Sequence, residues 1–348
     1  MSSKDAHTTT TSNIALHIHH LLNQLQQHQP PQLTGQPTTD NSLYSGSLGL
    51  SFALLHCARA VQRMSPAPES FALWKCDLLH TSEQYLMASA RSTAPPRYPN
   101  SISVLHGAEV GRAVTTALLH SEILQTPLLQ RDPTILRASI QSSIGVVLDQ
   151  TDRIFNNSDC NHGLLHGTSG WLWGLLFLRR TVPAARKRIH IELIQKVALH
   201  LIQEGQSYAT AATATATAEE REGILCDRIA RLPLMYTHRG VKLLGAGNGL
   251  IGIVYVLLLV VEELQSVSDI AFVGLIRQIC VPVSLTIDYL LECRTTEGHL
   301  KHRPEVDSQH SVGFNGDSGL GLLLCKCAQV LGEPFQPLAV SIQRQKDG

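Results

Sequence analysis

Residues 164–176 read Leu-Leu-His-Gly-Thr-Ser-Gly-Trp-Leu-Trp-Gly-Leu-Leu, a pair of glycines that leads directly into an apolar run. The arrangement occurs five times, with one extra residue between the glycines of the second copy. The paired glycines are Gly46 and Gly49, Gly107 and Gly111, Gly167 and Gly170, Gly249 and Gly252, and Gly316 and Gly319. Successive copies begin 60 to 82 residues apart, the length of two helices with two loops. The spacing therefore predicts a repeat protein built from helical pairs.

Two kinds of helix alternate in this pattern. The glycine-led helices, apolar nearly all round, are predicted at Ser47–Arg63, Glu109–Leu124, Thr168–Arg180, Leu250–Leu264 and Asp317–Leu331. The amphipathic helices are predicted at Asn13–Gln27, Glu69–Ala90, Pro133–Gln150, Pro183–Gln203 and Val267–Cys293, the last kinked or split at Pro282. A helix that is apolar all round is buried on all sides, whereas an amphipathic helix has one face exposed to solvent. We therefore predict an all-α fold, an α/α toroid with inner and outer rings of helices and no strands.

Composition narrows the class of protein. The 348 residues carry 28 basic and 28 acidic side chains, a balance that argues against a nucleic-acid partner and a polybasic membrane anchor. The polar N-terminus has no apolar segment of a secretory signal, and the run from Leu250 to Val261 is too short to span a bilayer. Eight scattered cysteines without a Cys-x-x-Cys pair suit a reducing compartment. We expect a cytoplasmic protein, at most peripheral at the plasma membrane.

We expect a single domain over residues 13–335. Residues 1–12 are predicted to be a disordered N-terminus, and residues 336–348 a tail. The alanine- and threonine-rich segment 207–220 falls where the repeat spacing is longest, and it is predicted to be a disordered surface insertion.

The paired glycines allow two interpretations. Glycine permits a tight turn with positive φ and close packing of neighbouring backbones, which is a purely structural role. Alternatively, the loops bring several helix N-termini, with unpaired N–H groups, to one mouth of the toroid. Such a mouth would suit an anionic group, a thiolate or a metal-bound hydroxide.

Four segments resemble the repeats of the LanC-like (lanthionine synthetase C-like) proteins of the eukaryotic type: residues 43–49, 164–176, 238–252 and 312–319. The resemblance covers about residues 43–332. It implies an α/α toroid with zinc at its mouth, of which this chain has five of the family's seven repeats. Bacterial members add a peptide Cys thiol to a dehydrated Ser or Thr, and eukaryotic members bind glutathione and add it to dehydroamino acids. Zinc lowers the pKa of the bound thiol, so that a thiolate is present at neutral pH.

This chain departs from the family at the positions that carry the chemistry. The resemblance places Phe314 at a zinc-ligand cysteine and Asn315 at the neighbouring histidine. Asn248 stands at the catalytic position of a family histidine, and Gly163 at that of an acidic residue. The remaining family ligands, a Cys-His pair, belong to a later repeat that the chain does not reach, which predicts a truncated member. We expect no zinc in this chain, and asparagines that act as helix N-caps.

Other residues could replace the lost groups. Candidate substitute zinc ligands are His106, Cys160, His162, His166 and His310, although His106 and His166 could equally be polar lining or capping groups. Candidate substrate-binding residues are His106, His166, Lys242, Asn315 and Asp317, and the expected partner is glutathione or a dehydrated peptide. Five repeats leave an open ring, which predicts low solubility or a homo-oligomer.

Three functions remain open from the sequence. The first is addition of a thiol to dehydroamino acids in peptides, impaired by the missing ligands. The second is a catalytically inactive scaffold that binds glutathione or a peptide. The third is another α/α toroid enzyme such as a glycosidase, for which the mouth loops offer only Glu109 and Asp317 as carboxylates.

Overall fold

The computed structural model describes most of the repeat region. It covers residues 42–63 other than Ser45, 69–91, 98–156, 161–214, 234–267, 270–306 and 313–332, with His20, Gln24 and Gln27 near the N-terminus. Residues 1–12, most of the predicted helix Asn13–Gln27, the tail 336–348, Cys160 and His310 lie outside this part of the chain.

The described residues are largely helical, which confirms the predicted all-α class. The α-helices are α1 (Ser47–Arg63), α2 (Glu69–Arg91), α3 (Ala108–Leu124), α4 (Pro133–Leu148), α5 (Thr151–Asn156), α6 (Thr168–Thr181), α7 (Pro183–Arg188), α8 (Ile191–Ala214), α9 (Leu250–Val267), α10 (Val273–Glu292) and α11 (Asp317–Leu331). Short 3₁₀ turns occupy Pro127–Leu129, Ile270–Phe272 and Gly313–Asn315.

The chain forms two compact units. The first comprises residues 1–99 and 107–144, and the second residues 100–106 and 145–348. In the first unit α1, α2 and α3 pack against one another. In the second unit α9 packs against α6, α8, α10 and α11. The prediction of a single domain stays a prediction.

Helix α9 is the core of the second unit. Thirteen of its residues are buried, whereas α10 buries only one side and exposes Val273, Arg277 and Asp288. The predicted contrast between glycine-led and amphipathic helices therefore holds for this pair. At 18 residues α9 is long and apolar enough to cross a membrane by length and composition, but 72% of it is buried inside the protein, as in a core helix.

The paired glycines are required because the loop backbone passes too close for any side chain. A Cβ on Gly167 or Gly170 would collide with the carbonyl oxygen of Asn161 or Leu164 in the loop before the helix. The same collision recurs at Gly49 with Leu43, at Gly249 with Leu243, at Gly252 with Ala246 and at Gly319 with Phe314. The expected positive φ is wrong, because none of the paired glycines has one. Close approach of backbones, and not a left-handed turn, explains the repeat.

The helix N-termini at these loops are already hydrogen-bonded. The first two N–H groups of α6 donate to Asn161 O (2.8 Å) and His162 O (3.3 Å), seven residues earlier. In α9 the equivalent donations go to Leu243 O and Leu244 O, both at 3.0 Å and again seven residues earlier. The expectation of unpaired N–H groups at these two helices is therefore wrong, because the loop carbonyls satisfy them.

Three predicted elements need correction. Pro282 does not split α10, because burial of its neighbours Ile279 and Val283 outweighs the hydrogen bond that proline removes. The predicted helix Pro183–Gln203 is two helices, separated at Ile189 and His190. Helix α8 also continues to Ala214, inside the segment predicted as a disordered insertion, because alanine favours the helix strongly. Residues 215–220 lie outside the described part.

A small hairpin contradicts the prediction of no strands. Strand β1 (Thr237–His238) pairs antiparallel with β2 (Val241–Lys242). The turn residues Arg239 and Gly240 have φ of 52° and 76°, as a two-residue hairpin of the mirror-image type requires. Strands of two residues are too short to produce an alternating pattern in the sequence.

A buried ion network holds the C-terminal part of α6 against α9. Glu263 is 3% exposed, and it accepts hydrogen bonds from Arg179 Nε at 2.9 Å and Arg180 Nε at 2.8 Å. Neighbouring Glu262, with a side chain 38% exposed, binds Arg180 and Lys326 of α11. The two arginine donors offset the desolvation of the buried carboxylate.

We expect Gly170→Ala to lower the free energy of unfolding by more than about 2 kcal/mol, because its Cβ would overlap Leu164 O and Ser103. Gly145→Ala in α4 is the matched control, since nothing lies within 4 Å of its added Cβ, and alanine favours a helix by about 1 kcal/mol. Urea denaturation of both variants measures the difference. Equal stabilities would contradict the close-approach explanation.

We expect Glu263→Gln to destabilise the chain by about 3 kcal/mol, because it leaves two arginines without their buried counter-charge. Glu262→Gln, at the exposed end of the same network, should change stability by about 1 kcal/mol or less. Thermal and urea unfolding report both values. A Glu263→Gln variant as stable as Glu262→Gln would show that the network does not stabilise the fold.

Candidate functional site

Four of the five glycine loops meet in the second unit. We call them loop 2 (residues 100–106), loop 3 (161–167), loop 4 (243–249) and loop 5 (313–316). The helices that follow loops 3, 4 and 5 are α6, α9 and α11. The loop that carries Gly46 and Gly49 belongs to the first unit, as does Gly107.

Hydrogen bonds join loops 2 to 5 in sequence order. Ile102 N and Ser103 Oγ of loop 2 donate to His166 O (3.2 Å) and Leu164 O (2.7 Å) of loop 3. Leu165 N of loop 3 donates to Gly247 O of loop 4 at 2.8 Å. Gly247 N in turn donates to Asn315 Oδ1 of loop 5 at 2.7 Å. The predicted convergence of glycine loops therefore holds for these four.

The two positions that the resemblance assigned to acid/base groups are neighbours. A Cβ on Gly163 would stand 3.0 Å from Asn248 Cα, so a side chain at residue 163 would press on loop 4. Asn248 Oδ1 is buried and has no hydrogen-bond partner among the described residues. Neither residue ionises at neutral pH. The pair offers one hydrogen-bond acceptor but no proton donor of acidic character.

Loop 5 has a structural role. Asn315 was expected to cap a helix, but helix α11 has no side-chain cap, and the Asn315 amide instead ties loop 5 to loop 4. Phe314 is 38% exposed. Both carboxylate oxygens of Asp317 are engaged, Oδ2 with His299 Nδ1 at 2.7 Å and Oδ1 with Leu300 N at 2.8 Å.

Three histidines form a row across loop 2, loop 3 and the hairpin. His106 Nδ1 lies 3.3 Å from both ring nitrogens of His166. The ring of His166 in turn lies nearly parallel to that of His238, with an angle of 18° and 6.0 Å between centroids. His106 is almost fully buried, whereas His166 and His238 are partly exposed. Two of these histidines were predicted as site residues, and the structure brings them into contact.

The tautomer of His238 follows from a backbone hydrogen bond. Gly163 N donates to Asn161 Oδ1 at 2.8 Å, which orients the amide so that its Nδ2 group faces His238 Nδ1 at 2.8 Å. An amide nitrogen only donates, so His238 Nδ1 must accept and its proton must stand on Nε2. A second proton on Nδ1 would break this bond. Asn161 thus keeps His238 neutral.

His166 and His238 are neutral at pH 7. Burial lowers the pKa of His166 to about 4, and repulsion by His106, His238 and Arg239 adds to this effect. Burial, followed by the charge of Arg239, also lowers the pKa of His238. Arg239 stands at the exposed tip of the hairpin. Sequence reasoning missed Asn161, His238 and Arg239 as site residues, although the short Arg239-Gly240 turn was a signal for the hairpin.

His162 points away from this row. It is 4% exposed, and its ring packs against Tyr236 and His200, with centroids 5.6 and 6.2 Å away. Its Nε2 lies 4.0 Å from Glu204 Oε2 of α8. Burial, with a smaller contribution from His200, lowers its pKa to about 4. The structure therefore separates His162 from His106 and His166 among the proposed substitute ligands.

Lys242 lies on the hairpin, opposite Thr237. Because side chains alternate along a strand, Lys242 and His238 lie on opposite faces. Its role in substrate binding stays a prediction.

The family model for lanthionine synthetase C-like proteins matches residues 37–273, more than half of the chain. The chain belongs to the lanthionine synthetase C-like family. The matched segment contains the first four glycine pairs, and membership supports the predicted all-α toroid class. Alignment of Phe314 and Asn315 with family zinc ligands falls beyond residue 273 and stays a prediction.

The donor atoms of this LanC-like chain do not fit the zinc site that the resemblance implies. Phe314 has no donor atom, and the Asn315 side-chain oxygen already binds Gly247 N. In the described ranges no three His, Cys, Asp or Glu side chains are placed to hold one metal ion. The nitrogens of His106 and His166 have a suitable spacing, but the only other histidine in the row, His238, accepts from Asn161 and adjoins Arg239.

We expect Asn161→Asp to raise the pKa of His238 by about 1 to 3, because a carboxylate facing Nδ1 would stabilise the imidazolium that the amide opposes. Titration of the histidine ring signals by NMR measures the shift. Asn161→Ser, which carries no charge, is the control. An unchanged His238 pKa in Asn161→Asp would contradict the hydrogen bond that defines the tautomer.

Proposed function

We propose that this LanC-like chain binds a thiol, glutathione or a peptide cysteine, at the joined loops 2 to 5, and that thioether formation by the family's zinc route is impaired. The observation that carries the proposal is the contrast at these loops. The backbone framework is complete, with hydrogen bonds from each loop to the next. The positions aligned with the family's chemistry hold Gly163, Asn248 and Phe314, none of which can bind zinc as a thiolate or imidazole does, or act as an acid.

A chain with these residues can still bind and orient a thiol ligand. Addition of a thiol to a dehydroamino acid needs a thiolate and a proton donor for the enolate that results. In the family that this chain resembles, zinc supplies the thiolate by lowering the pKa of the thiol. Here the Asn248 side chain can accept a hydrogen bond, and His166 and His238 are neutral, so these residues do not supply the Lewis acid that zinc provides in the family.

Residual thiol addition and a pure binding role are the two candidates within this proposal. The histidine row favours the binding role, because a His166 with a pKa of about 4 is a weak base toward a thiol and His238 Nδ1 already accepts from Asn161. A glycosidase is disfavoured, because Asp317 is engaged by His299 and Leu300 through both oxygens.

The full-length chain, purified without chelators, tests the proposal by metal analysis and mass spectrometry. We expect substoichiometric zinc, and saturable binding of glutathione by calorimetry. We also expect glutathione to add to a dehydroalanine-containing peptide no faster than about tenfold above the uncatalysed rate, because no Lewis acid activates the thiol.

The same peptide with alanine in place of dehydroalanine is the control for the mass increase. Stoichiometric zinc, together with rapid addition that a chelator abolishes, would overturn the impaired-chemistry proposal. Failure of glutathione and of cysteine peptides to bind would overturn the binding role.

A further inference from the structure

We propose that His166, His238 and Arg239 form a binding site for an anionic group, a carboxylate or a thiolate, carried by the thiol ligand of this chain. The ligand's identity rests on the proposed function, whereas the preference for an anion rests on the residues themselves. All three residues lie in the second unit, in loop 3 and at the hairpin.

The first argument is uncompensated charge. Arg239 is exposed, and within the described ranges no carboxylate pairs with its guanidinium. Three basic groups, His106, His238 and Arg239, act on His166 and lower its pKa. The chain as a whole has 28 basic and 28 acidic residues. A local excess of positive charge in a balanced chain attracts anions to that place.

The second argument is the supply of hydrogen-bond donors. Asn161 holds the His238 proton on Nε2, so this edge of the ring donates and does not accept. The Arg239 guanidinium adds donors in a fork that matches a carboxylate. Its backbone is fixed by the hairpin turn, at φ 52°, which sets the place from which the side chain extends.

The third argument is the response of His166 to an anion. It lies between His106 of loop 2 and His238 of β1, with Arg239 beyond, and Lys242 stands on the other face of the hairpin. The charges of His106, His238 and Arg239 all oppose its protonation. A bound anion would reverse this balance and raise the pKa of His166 from about 4. Binding of a carboxylate therefore takes up a proton, and its affinity increases as the pH falls toward the free-state value. A thiol that binds as a thiolate passes its own proton to His166 without net uptake.

Calorimetry on the full chain tests the site. Titrations at pH 5.5 and 7.5, in two buffers with different enthalpies of protonation, give both affinity and proton uptake. We expect glutathione to bind about tenfold more tightly at the lower pH, which corresponds to about 1.4 kcal/mol.

Variants separate the contributions of the residues. Arg239→Asn removes the charge with a residue that tolerates positive φ, and it should weaken binding about tenfold or more. His166→Gln should abolish proton uptake. Arg137→Gln, an exposed arginine of α4 in the first unit, is the matched control and should leave both quantities unchanged. Circular dichroism checks that each variant is folded.

Ligand analogues identify the anionic group. S-methylglutathione keeps the carboxylates without a free thiol, and N-acetylcysteamine keeps the thiol without a carboxylate. Binding of the first that strengthens at pH 5.5 assigns the site to a carboxylate. Binding of the second that Arg239→Asn weakens, without net proton uptake, assigns the site to a thiolate.

Two results separate this inference from the proposed function. Wild-type binding of glutathione that Arg239→Asn and His166→Gln leave unchanged, without proton uptake, would overturn the anion site and leave thiol binding intact. The chain could bind glutarate, a plain dicarboxylate, more tightly at low pH and bind no thiol. That result would support the anion site and overturn thiol binding. If glutarate and all the thiol ligands fail to bind, the anion site is wrong.

Discussion

Close approach of two backbones is the constraint on which the rest of this structure depends. At Gly167 and Gly170 the carbonyl groups of the preceding loop occupy the space that a Cβ would need, and the same holds at Gly249 and Gly252. The loop can then fold back over the start of its helix, where its carbonyls accept the helix's first N–H groups. Each glycine pair thus fixes both the path of the loop and the beginning of the helix.

This constraint also determines where chemistry is available. Since the first two N–H groups of α6 and of α9 donate to loop carbonyls, these groups are not available to a ligand. Polar character at the loops must come from side chains, and the described structure concentrates it in the row of His106, His166 and His238 with Arg239 beside it. The family match covers the loops up to residue 273, and the row adds polar side chains to that framework.

Sequence reasoning succeeded where a local signal exists. The limits of α1 and α11 were predicted correctly, because a glycine pair marks each start and an apolar pattern extends to the end. It missed the hairpin, whose strands have two residues each, and the helical continuation of α8. It also missed the hydrogen bond between Asn161 and His238. These residues lie 77 positions apart, and no local sequence pattern predicts their contact. Site residues defined by such contacts become visible only once the loops are assembled.

The hydrogen bonds between the loops determine which loop residues can be substituted without loss of the framework. Most of the bonds that join loops 2 to 4 involve main-chain atoms, and in loop 5 a single asparagine amide completes the series. Residues 248 and 314 contribute no side-chain hydrogen bond to this framework among the described residues. Substitutions there can remove or replace a chemical activity without unfolding the protein. The stability of these loops thus depends on the ties between them, and the side chains at residues 248 and 314 are not part of those ties.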